Sequence, residues 1–454
     1  MLSASARVFV RRAVGTSHGH GSLRSSSSRL FSTASSSAGF DSYDDDSVTL
    51  TSLNSMFNPT EEHKALRSML QTFVEREVEP QALEFNKKEI FNVDLFRKLG
   101  DSGMGILGLT VDPEYGGAGM DAAAVCVVHE ELSYSDPAFC LSYLAHSLLL
   151  VNNLSTNGSH EQKQQFLPDI CSGAKIGGMC MSEPNAGTDV LGMKSNAKYD
   201  AEKKGFILNG TKMWITNGTL TNDNDGSTGD CFLVYARTGE KKSDVTQFVV
   251  EKGMEGFSCG QKINDKLGMR ASNTAELVFD NVFIPADTHV VGEVNGATLC
   301  MMRNLEIERL GLAAMALGIA RRSLDEMKGY AGERSAFGAS NLYQFGQVQK
   351  HIAESYAEYM AGRCYVYGVA NSLDLSTYGN GLDADGTKLY CAQMSKNVAD
   401  RAIQVMGGYG YVGEYVVERL WRDAKLLEIG GGTNESHHKN MCRDLRRMGR
   451  TPLD

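Results

Sequence analysis

A loop near the middle of the chain, Cys180–Asp189, combines residue types that can bind a flat polar ligand. It contains Ser182, Gly187 and Thr188, which can offer hydroxyl groups and backbone N–H groups from one exposed segment. A cluster of proline, asparagine, glycine and threonine is also typical of an ordinary turn. The loop therefore indicates a ligand-binding segment only together with further groups.

Two other segments supply such groups. Trp214 and Thr216 are two residues apart, so they share one face of a predicted strand and could cover and hydrogen-bond an aromatic ring. Near the C-terminus, Gly430, Gly431 and Gly432 follow a predicted helix. One glycine would be enough to end that helix, and three in succession favour a close approach of the backbone to a ligand.

One acidic residue of a predicted C-terminal helix, Glu308, is a candidate for acid–base chemistry, and its neighbour Glu306 is expected to be a solvated charge. Taken alone, Glu308 too is better interpreted as a solvated charge on the helix surface. Two windows, Gly103–Gly108 and Gly408–Gly413, match the GxGxxG spacing of dinucleotide-binding loops. Neither follows a predicted strand, which that motif requires, so we assign no dinucleotide site to them.

The composition excludes several classes of protein. The chain has 454 residues, 42% of them hydrophobic, and a formal net charge of −10, which indicates a folded protein of two or three domains. An acidic protein is a poor partner for nucleic acid or an anionic membrane. The ten cysteines include no CxxC pair and no cluster with histidines, so we predict neither disulfides nor a metal site. No apolar run approaches the length that spans a membrane.

Residues 1–50 differ in kind from the rest. The first 40 contain five arginines, many serines and no acidic residue, a composition typical of a mitochondrial transit peptide. Arg29–Ser32 resembles a mitochondrial processing site. The alternative is a disordered tail without a targeting role. We predict import into the mitochondrial matrix and exclude residues 1–50 from the fold.

Three domains are predicted beyond this segment: a helical N-terminal domain at 51–175, a middle β domain at 176–290 and a C-terminal helical bundle domain at 291–454. Thr60 is a candidate N-cap of an early helix. In the middle domain, Asn209-Gly210 separates short β-branched and aromatic runs and predicts a tight turn. The fold class is therefore α+β, with four long helices forming the bundle. The first bundle helix has an apolar face of Leu310, Ala313, Ala314, Leu317, Ala320, Leu324 and Met327.

Four motifs in order along the chain identify a family. Ser182–Asp189, Trp214–Gly218, Arg334–Gly338 and Gln404–Tyr411 together resemble the FAD-dependent acyl-CoA dehydrogenases, over about residues 57–447. This implies the acyl-CoA dehydrogenase-like order of helical, β and helical-bundle domains. Within the family, the segments most similar to members that oxidise isovaleryl-CoA are Met181–Gly187, Val250–Phe257, Lys266–Arg270 and Glu308–Leu310.

The resemblance implies oxidation of an acyl-CoA to a 2-enoyl-CoA, and we expect isovaleryl-CoA to give 3-methylcrotonyl-CoA in leucine catabolism. A carboxylate removes the acyl α-proton, and the β-hydrogen passes to the flavin as hydride. Most family members carry this base at the position of Gly431, which has no side chain. In members with a Glu-Arg-Leu sequence in the bundle helix the glutamate takes over, and Glu308 fills that position. The Gly431 N–H is then expected to hold the thioester oxygen, and Arg309 to support the site or the CoA.

Further site residues are implied by the same resemblance. FAD is the expected cofactor, acyl-CoA the substrate, an electron-transferring flavoprotein the electron acceptor, and a homotetramer the assembly. The expected substrate contacts are Ser182, Arg309, Tyr143, Leu305 and Gly430. The expected FAD contacts are Met181, Ser182, Gly187, Thr188, Trp214, Thr216, Thr433 and Glu435, with Arg334, Phe337, Gln404, Gly407 and Gly408 reaching the FAD of a neighbouring subunit.

Some positions depart from the pattern of the relatives that act on isovaleryl-CoA. Leu144 and Leu148 stand where those relatives carry glycine and asparagine, and Ser436-His437-His438 replaces an aliphatic residue and arginines. Alternative functions are a long-chain or another short branched-chain acyl-CoA dehydrogenase, and an acyl-CoA oxidase that passes electrons to oxygen. A further alternative is a catalytically silent acyl-CoA-binding protein.

Overall fold

A computed structural model describes residues 51–101, 105–375 and 377–448. The predicted transit peptide and the first glycine of the Gly103–Gly108 window lie outside the described residues. The predicted N-cap is confirmed, because the Thr60 side chain accepts a hydrogen bond from the His63 N–H. The N-terminal helices are α1 (Thr51–Phe57), α2 (Glu61–Phe73), α3 (Glu79–Lys88), α4 (Val93–Asp101), α5 (Ala122–Ser135), α6 (Pro137–Leu144), α7 (Asn153–Asn157) and α8 (His160–Cys171).

The middle of the chain forms one eight-stranded sheet that is mostly antiparallel. The strands are β1 (Gly177–Cys180), β2 (Asn196–Asp200), β3 (Gly205–Thr216), β4 (Cys231–Arg237), β5 (Val245–Glu251), β6 (Phe257–Lys262), β7 (Thr274–Pro285) and β8 (Val290–Val291), with the short helix α9 (Ala286–His289) before β8. The strand order is β6-β7-β3-β2-β4-β5-β8, and β1 pairs in parallel with β4.

The predicted turn at Asn209-Gly210 is wrong. Both residues lie inside the twelve-residue strand β3, at a register shift against β7. Gly210 has φ +149°, and a Cβ there would collide with Ser195. The Asn-Gly pair therefore forms a β-bulge here rather than a hairpin turn.

The predicted α+β fold and its C-terminal helical bundle are confirmed. The predicted apolar face of the first bundle helix is buried at every position. That helix packs against α5 of the N-terminal domain and against a later bundle helix, so one core joins the two helical regions. The bundle helices are α10 (Ala297–Glu333), α11 (Gly346–Ala370), α12 (Gly381–Met406) and α13 (Val416–Leu427), followed by α14 (Asn434–Met448), which the sequence analysis did not predict.

One helical stretch, Pro137–Asn157, is long and apolar enough to cross a membrane by length and composition alone. Residues 145–152 are π-helical and join α6 and α7 into one continuous helix, which was not predicted from the sequence. Most of the stretch is buried inside the protein, as expected of a core helix.

Candidate functional site

Glu308, the predicted base, lies on α10 and is only 7% exposed. Within the described part of the chain, its Oε2 atom has no hydrogen-bond partner. Burial raises the pKa of Glu308 to about 7, against the opposing effect of Arg309 and Lys388. A carboxyl with a pKa near neutrality and a free oxygen has the properties required of a proton acceptor.

Gly431 lies beside this carboxyl. A Cβ built on Gly431 would lie 3.6 Å from Glu308 Oε1 and would collide with Leu312. The backbone of Gly431 has φ +64°, a conformation that residues with side chains rarely adopt. The structure therefore brings the two predicted catalytic residues together, and a glutamate at position 431 would require Leu312 to move and a strained backbone.

A buried network of charged groups surrounds the pair. The Arg309 guanidinium lies 3.1 Å from Asp385 Oδ1, and the same oxygen lies 2.5 Å from His437 Nδ1. The Lys388 ammonium donates a 2.6 Å hydrogen bond to the carbonyl of Gly432. Burial lowers the pKa of Lys388 to about 8, against the raising effect of Glu308. Both cations nearest to Glu308 are thus hydrogen-bonded or paired elsewhere.

Glu306 is not the solvated charge that the sequence analysis expected. Its side chain is buried, and it accepts hydrogen bonds from the backbone N–H groups of Gly379 and Asn380, the latter at 3.1 Å. The neighbouring glutamate on α10 is therefore a structural contact to the segment that precedes α12. The helical pattern alone could not show this, because the partner is a loop more than 70 residues away.

A buried ion pair holds the start of the predicted flavin loop, Met181–Glu183. Glu183 accepts from Lys212 at 2.9 Å and from the Ser195 N–H at 3.0 Å. Lys212 also donates to the carbonyl of Met181 at 3.1 Å. The Met181–Glu183 segment is consequently held in one conformation, while Gly187 and Thr188 remain exposed.

The open face next to this loop fits a flavin. Trp214 is 62% exposed, Thr216 is partly exposed and the intervening Ile215 is buried, so the two predicted residues share the outer face of β3. Trp214 has φ +67° and lies at a register shift between β3 and β7, which marks a bulge of the strand. The hydroxyls of Ser182, Thr188 and Thr216 make no hydrogen bond within the described ranges. An exposed aromatic plane with three available hydroxyls is the donor set that a flavin ring and its phosphates require.

The residues expected to meet a neighbouring subunit lie on the surface. The Arg334 guanidinium lies 5.8 Å from the centre of the Tyr409 ring, so the segments Arg334–Gly338 and Gln404–Tyr411 adjoin. Phe337 is 97% exposed and has φ +50°. Gln404, Gly407 and Gly408 are exposed, as is Glu435, whereas Thr433 is partly buried and its hydroxyl accepts from the Ser436 N–H.

The remaining predicted substrate residues differ in their surroundings. Leu305 is partly exposed one turn before Glu308 and packs against a cluster containing Met179. Gly430 donates its N–H to the carbonyl of Leu426 at 2.8 Å. Tyr143 is fully buried and donates its hydroxyl to the carbonyl of Ile106 at 2.8 Å, so that hydroxyl is engaged within the protein.

Sequence reasoning missed Asp385, Lys388 and the buried role of His437. Asp385 and Lys388 are single charged residues in the long helix α12, and nothing in their spacing distinguishes them from surface charges. His437 carried the one usable signal, since Ser436-His437-His438 departs from the family pattern.

Three family models match successive parts of the chain. They describe the N-terminal, middle and C-terminal domains of acyl-CoA dehydrogenases and match residues 60–174, 178–282 and 295–445. Together with the buried carboxyl and the flavin-compatible face, these matches define the class of protein. The chain belongs to the acyl-CoA dehydrogenase family, whose members are FAD-dependent oxidoreductases.

Individual relatives cover most of the chain. A mitochondrial isovaleryl-CoA dehydrogenase of Solanum tuberosum is 40% identical over 86% of this chain and 91% of its own length. A mitochondrial 2-methylacyl-CoA dehydrogenase of the same plant is 38% identical over 84% of this chain and 90% of its own. A glutaryl-CoA dehydrogenase of Mycobacterium smegmatis, solved in complex with FADH2, is 26% identical with a TM-score of 0.78, covering 87% of this chain and 96% of its own.

Proposed function

We propose that this acyl-CoA dehydrogenase oxidises isovaleryl-CoA to 3-methylcrotonyl-CoA. The observation that carries the proposal is the buried, unpaired carboxyl of Glu308 beside the side-chain-free Gly431. Relatives with 38–41% identity include isovaleryl-CoA dehydrogenases of plants and mammals. Their substrate supports the assignment, as do the shared motifs around the base.

Each residue of the candidate site has a separate role in the proposed reaction. Bound FAD supplies an acceptor for the β-hydride. Glu308 takes the α-proton of the acyl group, and its pKa near 7 matches the working pH of a general base. The Gly431 N–H polarises the thioester carbonyl, which gains negative charge as the proton leaves. Ser182 and Thr188 hold the flavin from the loop, while Trp214 and Thr216 cover and hydrogen-bond it from β3.

The packing beyond Glu308 supports a short acyl group. Gly311 lies one helical turn after the base, and a Cβ there would come within 2.8 Å of a Leu148 methyl and 3.4 Å of a Leu144 methyl. Both leucines are buried. They fill the space beside α10 one turn beyond Glu308, which supports a short acyl group over a long straight chain.

The cellular setting follows from the same reasoning. The arginine- and serine-rich N-terminal segment and the mitochondrial relatives support a location in the mitochondrial matrix. An electron-transferring flavoprotein is the corresponding electron acceptor. The exposed surface of Arg334, Phe337, Gln404, Gly407 and Gly408 supports a homotetramer in which each subunit completes the FAD site of another.

A substrate panel on the FAD-loaded protein tests the proposal. Isovaleryl-CoA, 2-methylbutyryl-CoA, butyryl-CoA and a long straight-chain thioester are each supplied with an electron-acceptor dye, and kcat/KM is compared. We expect the highest value for isovaleryl-CoA. Preference for the long chain would replace the proposal by a long-chain dehydrogenase, and peroxide formation in air without dye would indicate an oxidase. Absence of turnover with retained FAD would indicate a binding protein.

A further inference from the structure

His437 occupies an unusual position for a histidine. It lies in the first turn of α14, is fully buried, and has an acceptor at each ring nitrogen. Nδ1 lies 2.5 Å from Asp385 Oδ1, and Nε2 lies 3.0 Å from the carbonyl oxygen of Gly432. Both contacts are favourable only if a proton lies on each side of the ring. The ring therefore bridges Asp385 on α12 and the carbonyl of Gly432.

The carbonyl that His437 contacts belongs to the glycine loop of the candidate active site. Gly431 and Gly432 have φ of +64° and +96°, and neither has a side chain to anchor it. The Gly432 carbonyl instead accepts from Lys388 at 2.6 Å in addition to His437. Two donors on one carbonyl orient the Gly432–Thr433 peptide group, which limits the conformations open to the glycine loop that contains Gly431.

Asp385 connects the same histidine to the helix that carries the base. Its Oδ1 atom, buried on α12, also lies 3.1 Å from the guanidinium of Arg309. Arg309 directly follows Glu308 in α10. A continuous set of contacts thus runs from Glu308 and Arg309 through Asp385 and His437 to the glycine loop.

We infer that His437 and Asp385 are positioning residues that hold the Gly431 backbone N–H at a fixed distance from the Glu308 carboxyl. The inference rests on the proposed roles of Glu308 and Gly431 in acyl-CoA oxidation. The pair touches neither the thioester nor the flavin by this assignment. It acts by restricting a two-glycine loop that would otherwise sample many conformations.

Kinetics of the FAD-loaded protein test this role with His437→Ala, Asp385→Asn and the double variant. The thioester carbonyl is bound most strongly in the transition state, so we expect each single variant to lower kcat by roughly 10- to 100-fold and to change KM by less than about threefold. Because the two residues act as one unit, the double variant should be no slower than the slower single variant. Additive losses, or a change in KM alone, would overturn the inference.

His438 provides a matched control, since it is the adjacent histidine on the same helix and is exposed. His438→Ala should retain the kcat of the parent. His437→Gln, whose amide can still donate to Gly432, should recover part of the loss seen in His437→Ala. If His437→Ala fails to fold or to retain FAD, His437→Gln takes its place in the comparison. An equal loss in the two histidine-to-alanine variants would contradict a specific role for His437.

Amide hydrogen exchange separates this inference from the proposed function. In the FAD-loaded protein without substrate, the peptide that covers residues 428–436 should exchange faster in His437→Ala than in the parent or in His438→Ala. Unchanged exchange would remove the positioning role whatever the activity. If His437→Ala exchanges faster but the parent oxidises no thioester, the result would support the loop contact and reject the proposed function.

Discussion

Two buried glutamates of this protein, Glu130 on α5 and Glu308 on α10, have opposite electrostatic surroundings. Glu130 is paired with Arg67 and Arg363, each at 3.0 Å. Burial alone would raise the pKa of Glu130, but Arg363, Arg67 and Arg321 outweigh it and hold the pKa well below its usual range. Two tyrosine hydroxyls complete its hydrogen bonds, those of Tyr359 and Tyr367.

Glu308 also has cations beside it, yet its pKa is raised. Arg309 is paired with Asp385 and Lys388 donates to Gly432, so neither neutralises the carboxyl directly. The number of nearby positive charges therefore does not decide the role of a buried carboxyl. What decides the role is whether those cations pair with the carboxylate itself or with other groups. Glu130 is paired and joins two helical regions, whereas Glu308 is left able to accept a proton.

The largest expected effect is on turnover. Glu308→Gln removes the base without changing the size of the side chain, so kcat should fall by about a thousandfold or more. Visible absorbance of bound FAD and binding of an acyl-CoA should remain, because the amide keeps the shape of the site. The measurement is dye reduction with isovaleryl-CoA, together with a ligand titration of the flavin spectrum.

Glu306→Gln is the matched control for that variant, since Glu306 lies on the same helix and contacts a loop. Its kcat should stay within about threefold of the parent. Near-normal turnover by Glu308→Gln would show that another group takes the proton. The difference in pKa between Glu308 and Glu130 would then have no role in catalysis.

The next effect is on stability. Glu130→Gln leaves Arg363 without its buried counter-charge, while Arg67 keeps Glu131, and breaking a buried pair in this way costs about 3–5 kcal/mol in comparable proteins. We expect a markedly lower midpoint of thermal unfolding, with kcat per bound FAD close to that of the parent at a temperature where both are folded. A loss of kcat at unchanged stability would contradict the assignment of this cluster to structure.

The sequence predicted the fold well where periodic burial determines the structure. Local sequence patterns predict the apolar face from Leu310 to Met327 and the N-cap at Thr60, because each depends on residues only a few positions apart. Asn209-Gly210 was misread because an Asn-Gly pair fits both a turn and a bulge, and pairing with β7 selects the bulge. That pairing joins positions about 70 residues apart.

The candidate site was predicted in part for a similar reason. The missing side chain at Gly431 and the Glu-Arg-Leu sequence at Glu308 indicated the base, and the structure places the two together. Asp385 and Lys388 could not be found, because they lie on another helix and become significant only when α12 packs against α10. Burial of Glu306 was hidden in the same way.

A smaller effect should appear in the pH dependence of catalysis. The positive charge of Lys388 lowers the pKa of Glu308, so Lys388→Met should raise that pKa. Catalysis requires the carboxylate, and the acid limb of kcat/KM should therefore move to higher pH, by roughly half a unit to one unit. Lys388→Arg, which keeps the charge, should leave the limb nearly in place. A shift to lower pH in the methionine variant would contradict the proximity of the two groups.

The smallest effect concerns stability and pH together. The pKa of Glu308 in the folded protein, about 7, lies above its ordinary value of 4.5, so folding becomes less favourable as pH rises between these values. Glu308→Gln removes this penalty. The variant should unfold at nearly the same temperature as the parent at pH 5 and a few degrees higher at pH 8. Glu130→Gln should instead be destabilised by a similar amount at pH 5 and at pH 8, because the paired carboxylate loses its contribution only as pH falls below its ordinary pKa of 4.5. Parallel trends in the two variants would mean that the two carboxyls do not differ in the way their surroundings indicate.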